Sequence, residues 1–291
     1  MLNPSVSFAL DHQSILGIKP SLVLRDVSNI SNASAIGTVI WMPGLDEGFV
    51  PQGLTVDGSN IFVAAYKSTS PQFSRGESRV FVVDSRTGTT VDQFKLPDQV
   101  GHPGGLACDG KGNLFVADRG GLFQIDLRQA ITDGNTNNAV LGRAYVDREI
   151  GPSFLAWDNG HIWFGPYERN GEPQIYRFKI ANVFPKDRAV YLTPDEASLS
   201  FPIDIRTQGA TVDGNGYLWL SQSSGNGGVI QRIDSSSGEL LDLYEMMPGI
   251  EDLSFDSEGM LWSVSEAGSL RWQNWETFYP LIFSVNISLL K

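Results

Sequence analysis

Gly104-Gly-Leu-Ala-Cys-Asp109-Gly-Lys-Gly-Asn-Leu-Phe-Val-Ala-Asp118 holds the pattern that decides the architecture. Apolar and small residues lead into Asp109-Gly110, a glycine-bearing turn follows, and a second apolar run leaves it. Alternation of period two around such a turn is a tight β-hairpin. The first half of the phrase recurs as Gln52-Gly-Leu-Thr-Val-Asp57, Ser153-Phe-Leu-Ala-Trp-Asp158, Gln208-Gly-Ala-Thr-Val-Asp213 and Glu251-Asp-Leu-Ser-Phe-Asp256. The closing aspartates lie 52, 49, 55 and 43 residues apart. The second half recurs as Ile61-Phe-Val-Ala, Ile162-Trp-Phe-Gly, Leu218-Trp-Leu-Ser and Leu261-Trp-Ser-Val.

Further strands complete each unit. Arg79-Val-Phe-Val-Val, Gly121-Leu-Phe-Gln-Ile, Gln174-Ile-Tyr-Arg-Phe, Val229-Ile-Gln-Arg-Ile and Leu281-Ile-Phe-Ser-Val read as third strands. Thr90-Val-Asp-Gln-Phe and Leu240-Leu-Asp-Leu-Tyr read as fourth strands. Four antiparallel strands per unit of about 50 residues make the blade of a β-propeller. One blade cannot bury both faces of its sheet, whereas radial packing against its neighbours does so. The expectation is an all-β propeller occupying 1–291 as one domain. Five repeats are legible over 51–291. The first 50 residues are one repeat long and carry Val6-Ser-Phe-Ala-Leu10, Ser21-Leu-Val-Leu24 and Thr38-Val-Ile-Trp41, with Asp11 standing 46 residues before Asp57. This spacing predicts six blades with a degenerate first one. The alternative is five blades, with 38–42 closing the ring as the outer strand of the last blade. Two inserts, 128–142 and 185–202, are expected to be surface excursions with short helical turns.

Composition agrees with this reading and narrows the function. The chain has 291 residues with 41% hydrophobic residues, 16 Phe, 8 Tyr and 7 Trp, enough to fill a large core, and 31 Gly with 15 Pro argue against a helical bundle. A net charge of −12 repels phosphate backbones and anionic lipid, so neither nucleic acid nor a membrane is expected as partner. The single Cys108 and the scattered His12, His102 and His161 exclude an internal disulfide and a clustered zinc site. No apolar run is long enough to span a bilayer, and the first ten residues lack the basic and apolar regions of a signal peptide. A soluble, cytoplasmic protein is expected, with a trimmed secreted form as the alternative. The sequons at Asn29, Asn32 and Asn286 matter only in the latter case.

Pro51-Gln-Gly-Leu-Thr-Val-Asp-Gly and the hairpin at 105–118 resemble the NHL-repeat and senescence-marker-protein/gluconolactonase superfamily of β-propellers. A fainter similarity, through Gln52-Gly-Leu and Thr87-Gly88, is to the five-bladed plant-type glutaminyl cyclases. The first resemblance implies a calcium-dependent lactonase in which a Glu, an Asn and an Asp at the channel mouth ligate the metal. Glu251 matches that Glu, while Gln52 and Gln208 stand where Asn or Asp is expected, and Ser153 is shorter still.

The repeat itself also points to the mouth. Residues at equal register in every copy form a ring around the axis, and five before each closing aspartate come Gln52, Gly104, Ser153, Gln208 and Glu251. The far ends of the second strands return to the same mouth with Tyr66, Asp118, Tyr167, Glu168, Gln222 and Glu266. Oxygen-rich side chains converging from several blades suit Ca²⁺. The expected metal ligands are therefore Glu251, Gln52 and Gln208, with His102 and Asp118 as the catalytic groups. Tyr66, Tyr167, Gln222, Glu266 and Arg271 are expected to bind substrate, with Trp272 and Trp275 walling the pocket. The blander alternative has Gln52 and Gln208 bonding neighbouring backbone and Glu251 as an ordinary strand-start residue. The glycine-rich Ser221-Gln-Ser-Ser-Gly-Asn-Gly-Gly lacks a nucleophile elbow and reads as a loop. The closing aspartates are explained by their turns. Two functions follow: a metal-dependent hydrolase of a small ester or lactone, or a non-catalytic propeller that binds a small molecule or a protein.

Overall fold

The computed structural model describes residues 15–23, 25–70, 76–186 and 188–291. Strand β1 (Ile36–Trp41) comes first and is set aside by the chain until its end. The first blade follows: β2 (Phe49–Asp57), β3 (Asn60–Lys67), β4 (Ser78–Asp84) and β5 (Thr90–Lys95). The second comprises β6 (Gly105–Cys108), β7 (Asn113–Asp118), β8 (Gly121–Asp126) and β9 (Val140–Val146). The third comprises β10 (Phe154–Asp158), β11 (His161–Gly165) and β12 (Gln174–Lys179). Two later strands, β13 (Val190–Leu192) and β14 (Leu199–Pro202), add to the outer edges of the second and third blades respectively. The fourth blade holds β15 (Thr207–Val212), β16 (Leu218–Ser224), β17 (Gly227–Ile233) and β18 (Leu240–Met246). The fifth holds β19 (Ile250–Phe255), β20 (Leu261–Ser265) and β21 (Leu281–Val285).

Blade five lacks a fourth strand of its own, and β1 supplies it. Val39 pairs with Phe283 and Trp41 with Leu281 in antiparallel register, which closes the ring between the two ends of the chain. An open β21 edge would leave a row of unpaired ladder groups. The described residues thus form five blades and not the six that spacing predicts: the segment at 38–42 is the closing strand, and no blade precedes it among them. Leu16 bridges Ile40 in parallel, and Val23, Val27 and Ile30 pack on the core between blades four and five. The stretch Val6–Leu10 falls outside the described residues. Insert 128–142 carries α1 (Leu127–Asp133), as expected of a helical turn. Insert 185–202 is more than an excursion, because it contributes both β13 and β14.

The innermost strands β2, β6, β10, β15 and β19 contact one another in a closed circuit. They meet so closely that side chains are excluded at key points. A Cβ on Gly105 would lie 2.4 Å from the Leu155 nitrogen, and one on Gly209 would lie 2.4 Å from Asp252 Cα. This is why the repeated phrase carries glycine at that register in blades one, two and four. Blade five has Asp252 there instead. Its carboxylate fills the vacated axis: Oδ2 accepts the Leu54 and Leu106 N–H groups at 3.0 and 2.8 Å, and Oδ1 accepts that of Ala210 at 3.3 Å. Lower on the axis, Ser254 Oγ accepts from Val56 N–H and Thr55 Oγ1 from Cys108 N–H. These side chains pair the inner-edge amides that no neighbouring strand can reach.

The closing aspartates act structurally. In three blades they also accept the indole N–H of the next strand: Trp163 to Asp158, Trp219 to Asp213 and Trp262 to Asp256, at 3.2, 3.0 and 2.8 Å. Each turn is thereby tied to a large ring buried between blades.

Each buried N–H left without an acceptor costs about 1–3 kcal/mol. Asp252→Ala strands three, so urea unfolding should show a loss of at least about 3 kcal/mol. Asp252→Asn keeps one carbonyl oxygen and should lose less. Stability of the alanine variant within about 1 kcal/mol of wild type would contradict the axial role.

Candidate functional site

All five register-matched residues, Gln52, Gly104, Ser153, Gln208 and Glu251, open onto one cavity of about 490 Å³ at the channel mouth. Strand alternation places them there. On β19, Glu251 faces the mouth and the next residue, Asp252, faces the neighbouring strands. Tyr66 and Glu266 return along the second strands of blades one and five, and Tyr167 lies just beyond that of blade three. Arg271 and Trp272 come from the loop between β20 and β21, and His102 from the turn before β6.

Three expected residues, Gln222, Asp118 and Trp275, lie outside the cavity lining. Gln222 lines a separate depression between β16 and β17, where its amide donates to Gln231. Asp118 is buried outside the cavity lining, and its Oδ1 accepts the His102 backbone N–H at 3.0 Å. It therefore positions the His102 turn and does not face the cavity. The His102 ring itself stacks on Tyr66, with centroids 4.7 Å apart. Trp275 stacks on Trp272 at 4.8 Å, behind the cavity wall.

The centre of the site is a pair of carboxyl groups. Glu251 and Glu266 are 1% and 7% exposed and hydrogen-bond to each other. Gln208 Nε2 donates to Glu251 Oε1 at 3.1 Å. Glu266 Oε2 accepts from Gln52 Nε2 at 3.0 Å and from the Trp272 indole at 2.6 Å. Burial drives the Glu251 pKa well above the usual carboxylate range, and the charges of Glu266 and Asp252 push it further. Burial also raises Glu266, to about 7, against the opposing pull of Trp272, Arg271 and Gln52. Two like charges this close do not both ionise readily. Near neutral pH the pair therefore holds a proton more tightly than free carboxyl groups do.

Beside the pair, the Arg271 guanidinium donates to the Tyr66 hydroxyl and lies 4.6 Å from the centroid of the Trp272 ring. Burial, then the charge of Glu266, raises the Tyr66 pKa, so the phenol stays protonated. Its own O–H remains available to the cavity.

The donor set expected for Ca²⁺ does not fit that ion as it is arranged. Gln52 and Gln208 turn their N–H groups, not their oxygens, toward the carboxylates. Calcium takes six to eight oxygen ligands converging on one point. Among the described residues no group of three His, Cys, Asp or Glu is placed to hold a metal.

Sequence reasoning missed Arg119, Arg169 and Asn170, which complete the rim. Their signal was adjacency: each follows a second-strand end already assigned to this mouth. Asp252 was also missed, although it is the one charged residue at a register otherwise occupied by Gly or Phe. Arg206 adopts a left-handed conformation with φ of 64°, and its N–H donates to the Glu168 carbonyl at 2.7 Å, anchoring the rim loop after β11. Strain of this kind in a non-glycine residue is costly and collects near functional sites.

With this geometry in view, the chain is similar to the glutaminyl cyclase of Myxococcus xanthus, at 12% identity over 86% of this chain and 94% of that one, with a TM-score of 0.55. It also overlaps a streptogramin B lyase (16% identity, 86% and 67% covered, TM-score 0.40) and a luciferin-regenerating enzyme (15%, 84% and 78%, TM-score 0.44). No protein-family model matches the chain, and no curated protein matches it in sequence. The likeness to the Myxococcus protein agrees with the β-propeller fold and shows the fold alone. The narrower kinship with NHL-repeat and gluconolactonase-like proteins is not supported beyond that fold. Among the described residues no helix is long and apolar enough to cross a membrane.

The fold binds the Glu266 proton more tightly than the unfolded chain does. Its contribution to stability is therefore fully present below the unfolded pKa of 4.5 and is lost as pH rises to about 7. The loss is on the order of 3 kcal/mol. Urea unfolding at both ends of this window should show a clearly smaller decline for Glu266→Gln than for wild type. Equal declines would mean that Glu266 is not buried as described.

Proposed function

We propose that the cavity is the active site of an acid–base catalyst of acyl transfer, acting on a small ester or amide. The observation that carries this reading is the buried pair of carboxyl groups, Glu251 and Glu266, set against each other on the cavity wall. General acid–base catalysis needs one group ready to accept a proton and another ready to give one near the working pH. Here environment separates two chemically identical side chains into those roles. Glu266, ionised above about pH 7, takes the proton of the attacking water or amine as the new bond to the acyl carbon forms. Glu251, held neutral by burial, gives its proton to the departing oxygen or nitrogen as the old bond breaks. The Tyr66 hydroxyl, polarised by Arg271, donates to the substrate carbonyl oxygen where negative charge gathers.

Gln52, Gln208 and Trp272 hold the pair in place through their N–H groups. Two substrates merit first trial. A lactone follows from the sequence resemblance, with water as nucleophile. An N-terminal glutaminyl peptide follows from the name of the Myxococcus protein: its α-amine attacks the side-chain amide and ammonia departs. The second matches a site built to protonate a poor leaving group.

A panel of lactones, aryl esters and N-terminal glutaminyl peptides tests the proposal. Turnover should rise with pH through about 7, and Glu266→Gln should lower kcat by about 10²–10⁴-fold. Glu251→Gln should remove the decline at high pH as well as most of the rate. Activity abolished by EDTA and restored by Ca²⁺ would replace the proton pair with a metal centre. Tight ligand binding without turnover of any panel member would favour a non-catalytic propeller.

A further inference from the structure

Among the described residues three arginines without ion-pair partners stand at the cavity mouth (Arg119, Arg169) and in the groove beside it (Arg148). Arg119 follows β7, Arg148 precedes β10 and Arg169 lies in the loop after β11, all exposed. Among the described residues none of the three makes an ion pair or side-chain hydrogen bond, whereas Arg79, Arg177 and Arg232 are each paired with a carboxylate. From the cavity a groove of about 570 Å³ runs outward, walled by Arg119, Arg148, Ser153, Tyr167, Tyr145 and Tyr191. Arg119, Ser153, Tyr167 and Glu168 line both spaces, so the two adjoin.

The far wall of the groove exists because blade two has a fifth strand, which no other blade has among the described residues. Strand β13 pairs in parallel with β9 and sets Tyr191 directly opposite Tyr145. Both rings face solvent, at 59% and 43% exposure. They are nonetheless held in place. The Tyr191 hydroxyl donates to Asp147 at 3.4 Å, and the Arg143 guanidinium lies 4.4 Å from the Tyr145 centroid. Exposed aromatic rings fixed in this way are surfaces for a flat or extended ligand. Glu168 is the one carboxylate lining the groove, in a protein whose net charge is −12. Cations left unpaired on an acidic molecule concentrate the local field at this mouth.

We infer that the groove binds a short acidic peptide, the extension of a substrate whose reacting end occupies the cavity. The inference rests on the acyl-transfer reading of that cavity. Guanidinium groups engage carboxylates in bidentate fashion, and the tyrosine rings pack along the intervening chain. The overall negative charge disfavours a long polyanion, so the extension is a few residues only.

Calorimetric titration with penta-glutamate and with penta-glycine tests this on the full chain. At low ionic strength penta-glutamate should bind at least about tenfold more tightly. The preference should collapse near 1 M salt, where charges are screened beyond about 3 Å. Arg119→Gln with Arg148→Gln should weaken penta-glutamate about tenfold, and both residues are exposed, so folding should be unaffected. Lysine at both positions should restore part of the affinity. Equal affinity for the two peptides, or affinity unchanged in the glutamine variant, overturns the assignment. Displacement of the peptide by an equal concentration of inorganic phosphate also overturns it, in favour of a simple anion site. Glu266→Gln separates the two readings. Peptide binding retained with activity lost supports both, binding retained with activity intact removes the acid–base reading alone, and Arg-independent binding removes the groove alone.

Discussion

A ring of β-sheets has an unavoidable weakness at its axis. The inner edge of each innermost strand presents amide groups that no further strand can reach. Asp252 resolves this for three blades at once, with two oxygens accepting from Leu54, Leu106 and Ala210. Its position requires Gly209, where an added Cβ would lie 2.4 Å from Asp252 Cα, while Gly53 and Gly105 let their strands approach β6 and β10 closely. Burial favours the neutral acid, while the surrounding N–H groups favour the carboxylate. Burial prevails, and its pKa lies well above the ordinary value.

The chemistry of the mouth follows from that axis. Glu251 precedes Asp252 on the same strand, so fixing one fixes the other on the opposite side of the backbone. Anchored there, Glu251 is almost wholly withdrawn from solvent and lies against Glu266, which is also buried. Desolvation and like charge then act together, and the pair retains a proton at a pH where free carboxylates have none. The same desolvation that destabilises the fold above pH 4.5 produces a reactive pair, a trade commonly met where polar groups are buried for function.

How much of this was legible beforehand varies residue by residue. The hairpin phrase specified the blades, because alternation and turn residues act over a few positions. The register count also placed Gln52, Gln208 and Glu251 around one cavity, since equal positions in a rotational repeat are equidistant from its axis. The count of blades was not legible in the same way. Strand Ile36–Trp41 has the pattern of any strand, and its partner Leu281–Val285 lies at the other end of the chain. Asp118 and Gln222 stood at plausible registers, yet backbone geometry at the strand ends turned one toward an amide and the other into a neighbouring depression.

Sequence alone determined the repeating unit, the propeller architecture and the five register-matched residues of the channel mouth, Gln52, Gly104, Ser153, Gln208 and Glu251. These depend on local periodicity, which a linear pattern records directly. Tertiary structure decided which of those residues touch and which carry protons. Gln52 meets Glu266 across 214 positions and Tyr66 meets Arg271 across 205. Such contacts depend on how far each blade rotates about the axis and how each loop packs. Protonation depends in turn on the resulting burial, a property of the assembled ring and of no single segment in it.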